Sequence, residues 1–169
     1  MKSHAGKKQL PTPGLSRSVR GGSLIERARK GEEDLMVEME LNKIVINEKR
    51  HDQLIVLKEK NGSRLLPIVI GLTEASAIKM KIGGFNPPRP LTHDLLYATI
   101  KNLGAKLTKV IIDRLEDNTF FAKLVIESGS GSVTMIDARP SDSIALAVRA
   151  DVAIFVDESV LKQTTVFGK

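Results

Sequence analysis

The sequence predicts an α+β fold: a mixed, largely antiparallel sheet with about three helices, in a single compact domain spanning residues 34–169. Three observations point there. Apolar residues alternate with polar ones in successive short runs, the pattern of half-buried strands. Turn residues separate two pairs of these runs at hairpin distance. Apolar stretches of helical length are interspersed among the hairpins, which indicates mixed layers.

The first strand begins at Leu35, where Leu35, Val37, Met39 and Leu41 alternate with Met36, Glu38 and Glu40, and it continues irregularly through Ile44–Ile46. Gln53–Lys58 and Arg64–Ile70 form a hairpin around Lys60-Asn61-Gly62-Ser63, because Asn-Gly tolerates the positive φ of tight turns. Pro67 in the second run requires a bulge or an edge position, since proline has no N–H to donate. A first helix is expected from Thr73 to Ile82, with Ala75, Ile78 and Ile82 on one face and Gly83-Gly84 ending it. Phe85-Asn86-Pro87-Pro88-Arg89-Pro90 is too proline-rich for helix or inner strand. A second helix follows over His93–Leu103, closed by Gly104. Lys106–Leu115 and Thr119–Glu127 form the second hairpin around Asp117-Asn118, with Phe120, Ala122, Leu124 and Ile126 on one face. After a Ser/Gly turn come a strand over Val133–Asp137, a third helix over Ser141–Arg149, a short strand over Ala153–Val156 and a helical turn over Ser159–Thr165.

Composition narrows the function classes. There are 169 residues, enough for one domain with a real core. No apolar run approaches the roughly 18 residues of a membrane span, and the first thirty residues lack the apolar stretch of a signal peptide, so no membrane partner is expected. Cysteine is absent, which excludes disulfides and thiol catalysis and fits a cytoplasmic location. The formal net charge is +6. Residues 1–33 hold eight Lys/Arg against three acids, so this basic, flexible N-terminal arm carries +5 and the rest only +1. The domain itself therefore lacks the charge signature of a duplex-coating protein. Aromatics are 4% with no Trp and one tyrosine, Tyr97, and Phe85 beside the proline loop is the one attractive base stacker.

The densest constellation is Ile136-Asp137-Ala138-Arg139-Pro140-Ser141-Asp142-Ser143, at the junction of a strand and a mostly apolar helix. Proline suits the first turn of a helix. Polar groups carried to the start of a buried helix need partners there. A second Arg-Pro lies fifty residues upstream in Arg89-Pro90-Leu91-Thr92-His93-Asp94, again before a helix; Thr92 is a plausible N-cap and Asp94 a first-turn acid. Two readings stand. Either these are caps and structural Arg–Asp pairs, or the two helix starts face one cleft.

Pro67-Ile68-Val69-Ile70-Gly71, Glu74-Ala75, Arg89–Leu95, Leu103-Gly104-Ala105 and Ile136–Asp142, taken in this order, resemble the bifunctional nuclease family over about Leu35 to Val160. One departure is Ser143, where a small residue such as alanine is expected. The resemblance implies an α+β domain, a homo-oligomer with a dimer favoured, and low-specificity hydrolysis of phosphodiester bonds in DNA and RNA. The site would lie between the two Arg-Pro helix starts, with nucleic acid as partner. Such cleavage needs an activated water, charge stabilisation at phosphate and a proton for the leaving oxygen.

Two designs are open. A divalent metal such as magnesium or manganese could sit on Glu74, Asp94, Asp137 and Asp142. Alternatively, His93 moves protons while Arg89 and Arg139 bind phosphate, with Lys79 or Asp94 as a second proton carrier. Ser141 is explained by its place at a helix start and lacks a nucleophile elbow. The alternative to an enzyme is a non-catalytic oligomeric ligand- or protein-binding module whose Arg/Asp cluster is structural.

Overall fold

The structure is a computed structural model and describes residues 35–47, 52–164 and 166–167. The predicted arm lies outside the described residues. Eight strands form one sheet: β1 (Met36–Val45), β2 (Asp52–Glu59), β3 (Arg64–Gly71), β4 (Ala105–Glu116), β5 (Thr119–Ser128), β6 (Val133–Ala138), β7 (Ala153–Asp157) and β8 (Val166–Phe167). Four helices are described rather than about three: α1 (Leu72–Ile82), α2 (Thr92–Asn102), α3 (Pro140–Ala150) and α4 (Glu158–Thr164). The predicted last turn is a helix of two turns, held by Val160 and Leu161, which are both fully buried.

The strand order is β6-β5-β4-β7-β1-β2-β3-β8. All pairings are antiparallel except β4 with β7. The crossover through α3 inserts β7 between β4 and β1 and so joins the two hairpin units. β8 pairs with β3 only at Arg64 and Leu65, so Pro67 sits farther along, where the described residues put a strand on one side only. The register with β2 runs through Pro67 without a shift, so the proline needs no bulge at this edge position.

The irregularity in β1 is a bulge at Asn42, where the register with β2 shifts. One extra residue inverts the side-chain phase. Met39 and Leu41 face the core before it, and Ile44 and Ile46 after it. β4 uses the device twice, at Thr108 and Asp113, so Leu107, Val110, Ile112 and Leu115 all reach one core despite their uneven spacing. Opposite them, Ala122, Leu124 and Ile126 of β5 keep strict alternation.

Both hairpins form where expected, by different turns. Asp117 and Asn118 adopt positive φ, 47° and 59°, the twist that a two-residue hairpin favours. Asn61 and Gly62 do not. Instead the Gly62 N–H donates to the Glu59 carbonyl, and the longer loop relieves the need for a left-handed pair.

Helix α1 covers β2 and β3, α3 covers β4, β5 and β7, and α2 packs on α3 and β4. Ile82, expected on the buried face of α1, is exposed, beside a hollow of about 310 Å³ that it lines together with Leu41–Ile44 of β1. A hollow of about 340 Å³ is lined jointly by Ile68–Gly71, Asn118–Phe120 and Arg139–Ser141. Strands that are remote in the sheet order meet there, so the sheet curls, bringing the start of α3 beside the start of α1.

Candidate functional site at the converging helix starts

Three acids occupy one position in three helices. Gly71, Leu91 and Arg139 are the N-cap residues of α1, α2 and α3, which puts Glu74, Asp94 and Asp142 each three residues into a helix. Negative charge is favoured there by the free N–H groups and the helix dipole. Thr92, expected as an N-cap, is the first helical residue instead; Asp94 accepts the Leu91 N–H at 2.9 Å. The Arg-Pro echo is thus offset by two residues between the helices. Pro140 begins α3, whereas Pro90 precedes the cap of α2, so Arg89 does not occupy the place of Arg139.

One guanidinium ties the start of α1 to that of α3, and Asp142 ties both to the start of α2. Arg139 Nε donates to Asp142 Oδ2 at 2.7 Å, and Arg139 Nη2 donates to Glu74 Oε1 at 2.9 Å and to Asp142 Oδ1 at 3.1 Å. Asp142 Oδ1 lies 3.0 Å from His93 Nε2. Burial alone would raise the Asp142 carboxyl, but the hydrogen bonds of Arg139 and His93, with their charges, hold it below the usual carboxylate range. Asp142, through its hydrogen bond and charge, and then Glu74 raise the Arg139 guanidinium further. An ionised Asp142 can only accept, so His93 Nε2 carries the proton, and a neutral imidazole has its free lone pair at Nδ1. The Arg139 side chain is 67% exposed, and its Nη1 has no protein partner among the described residues. Arg139 also borders the 340 Å³ hollow.

Asp94 belongs to a second tie. Its Oδ1 accepts from Arg149 Nε at 2.6 Å, and Arg149 Nη1 donates to the Ala145 carbonyl at 2.9 Å. The Arg149 side chain is only 3% exposed. Burial works against the Asp94 charge, but Arg149, the Leu91 N–H and Lys81 prevail and hold its carboxyl low. Sequence reasoning placed Arg149 only as the end of a helix. The available signal was a lone cation closing the otherwise apolar run Ile144–Val148, where a charge needs a buried partner.

Two candidates stand apart from both ties. Asp137 is on β6 opposite Lys123, with Ala138 directed to the core; by strand alternation its carboxylate leaves on the face away from the helices. Arg89 is exposed, and among the described residues it makes no ion pair. For the metal design, among the described residues no group of three or more His, Asp or Glu side chains could hold an ion, and Glu74 and Asp142 share Arg139 between them.

The fold and this cluster define a class: an α+β domain that presents an arginine, braced by two carboxylates and flanked by a histidine, at converging helix starts. Residues 55–168 match the Bifunctional nuclease domain. The uncharacterized protein Rv1829 of Mycobacterium tuberculosis is 42% identical over 128 residues, 76% of this chain and 76% of its own. Bifunctional nuclease 1 of Oryza sativa subsp. japonica and bifunctional nuclease of Oryza minuta are 26% identical over 147 residues, 85% of this chain and 44% of theirs. The chain spans less than half the length of these rice proteins. It belongs to the bifunctional nuclease family.

Proposed function

We propose that this protein is a low-specificity nuclease that hydrolyses phosphodiester bonds of DNA and RNA at the meeting point of α2 and α3. The observation that carries this reading is the array His93–Asp142–Arg139, with Arg139 open to solvent. Arg139 contacts a phosphate oxygen through its free Nη1 edge, where its charge offsets that developing on the phosphorane. Asp142 orients His93, so that His93 Nδ1 accepts the proton of the attacking water as its oxygen bonds to phosphorus; the P–O bond on the far side breaks and the leaving oxygen takes its proton from solvent water. Glu74 holds Arg139 from the other side. No step is assigned to Asp137 or Arg89.

The test is cleavage of single- and double-stranded DNA and RNA, with and without a chelator, by the wild type and by His93→Ala, Asp142→Asn and Arg139→Ala. Each substitution is expected to lower kcat/KM at least a hundredfold, with chelator leaving the wild type active. Full activity in all three variants would remove this site.

A second reading has its own support, because every Asp142 oxygen and Glu74 Oε1 already have partners. In it the cluster only braces three helix starts in a non-catalytic binding module. That reading expects Arg139→Ala to cost stability and the wild type to show no cleavage.

A further inference from the structure

Two adjoining hollows open beside α2. One, of about 320 Å³, lies between the end of α1, the proline loop and the start of α2. The other, of about 410 Å³, runs along Tyr97 and Lys101. They share Lys81, Asp94 and Arg149. Arg149 is buried and Asp94 is not, but their charges are matched and committed to protein partners. What remains at the rim is positive: the ammonium groups of Lys81 and Lys101, both on exposed residues. Each hollow also has one aromatic ring. Phe85 is 58% exposed in the first. Tyr97 lines the second, but it packs against the core and Lys101 Nζ lies over its ring, 5.5 Å from the centre.

Cations beside an open aromatic face match a strand of phosphates and planar bases. Each hollow is of a size for one small ligand unit, and a base held within a duplex stack cannot lay its face on Phe85. Seven residues of α3 separate Asp142 from Arg149, a rise of about 10 Å, so one strand can reach both places. We propose that the paired hollows bind unpaired nucleotides of the substrate strand, with phosphate held by Lys81 and Lys101 and a base stacked on Phe85. The inference rests on the nuclease reading and extends it to single-stranded substrate.

Binding of fluorescein-labelled single-stranded and duplex oligonucleotides, as DNA and as RNA, is measured by anisotropy across a salt series. Wild type, Lys81→Ala/Lys101→Ala, Phe85→Leu and His93→Ala are compared, with circular dichroism to verify folding. The double lysine variant should bind single strands at least tenfold more weakly, and its log–log salt slope should fall by about 1.4, at roughly 0.7 per phosphate contact. Phe85→Leu should weaken binding about tenfold with no change in salt slope, since only stacking is lost. His93→Ala should bind like wild type yet fail to cleave. Equal affinity for duplex and single strand, or lysine and Phe85 variants with unchanged affinity, would overturn the proposal even if the wild type cleaves. Single-strand binding that depends on these residues, without cleavage, would uphold the track and sink the nuclease reading. Absence of any binding would sink the track.

Discussion

Replacing each of the two ion-paired arginines of α3 with alanine separates architecture from chemistry. Arg149 is buried to 3% of its side-chain surface and satisfies Asp94 and a carbonyl from the interior. Removing one partner of a buried pair typically costs about 3–5 kcal/mol. Asp94 keeps the Leu91 N–H and a neighbouring Lys81, and its side chain is 32% exposed, so water reaches it and the low end applies. The expected loss for Arg149→Ala is about 3 kcal/mol, which in a domain of this size lowers Tm by roughly 10 °C. Arg149→Met restores volume without charge and should recover only the packing part. Arg139 makes more hydrogen bonds to carboxylates, yet at 67% exposure its ion pairs compete with water and are worth about 0–1 kcal/mol. Urea unfolding at neutral pH measures both. A loss for Arg139→Ala as large as that for Arg149→Ala would refute the reasoning, and with it the claim that Arg139 is placed for a ligand rather than for the fold.

Two further predictions concern groups at the same helix starts. Asp94 and Asp142 are both held below their ordinary values, so each contributes stability that is present above the unfolded carboxylate pKa of about 4 and is lost as pH falls through the lower folded value. Acid unfolding should therefore steepen below about pH 4, and Asp94→Asn should flatten that limb while lowering stability at pH 7; an unchanged acid limb would contradict the assignment. Ser143 is fully buried, and among the described residues its Oγ has no hydrogen-bond partner. An unsatisfied buried hydroxyl is costly, so Ser143→Ala should leave stability unchanged or raise it by about 1 kcal/mol in urea melts. A clear loss would reveal an interaction that the structure does not contain.

Much of this molecule is legible along the chain. Hairpins at Asn61-Gly62 and Asp117-Asn118, helix ends at Gly83 and Gly104, and acids at helix starts follow from sterics and electrostatics among neighbouring residues. The ordered motifs from Pro67 to Asp142 carry the family. That His93 meets Asp142 is a different matter, since 49 residues separate them and no local rule sets that distance. The same holds for Glu74 and Arg139.

Only tertiary structure decided which arginine is buried and which is open, because Arg139 and Arg149 differ in what packs around them rather than in chemistry. Strand alternation, not motif membership, turned Asp137 away from Arg139 and Asp142. Bulges at Asn42, Thr108 and Asp113 reset which residues face inward, and β7 entered the middle of the sheet although it is nearly last in sequence. Local propensity reflects the few bonds around each residue, whereas these outcomes reflect which distant surfaces exclude water together.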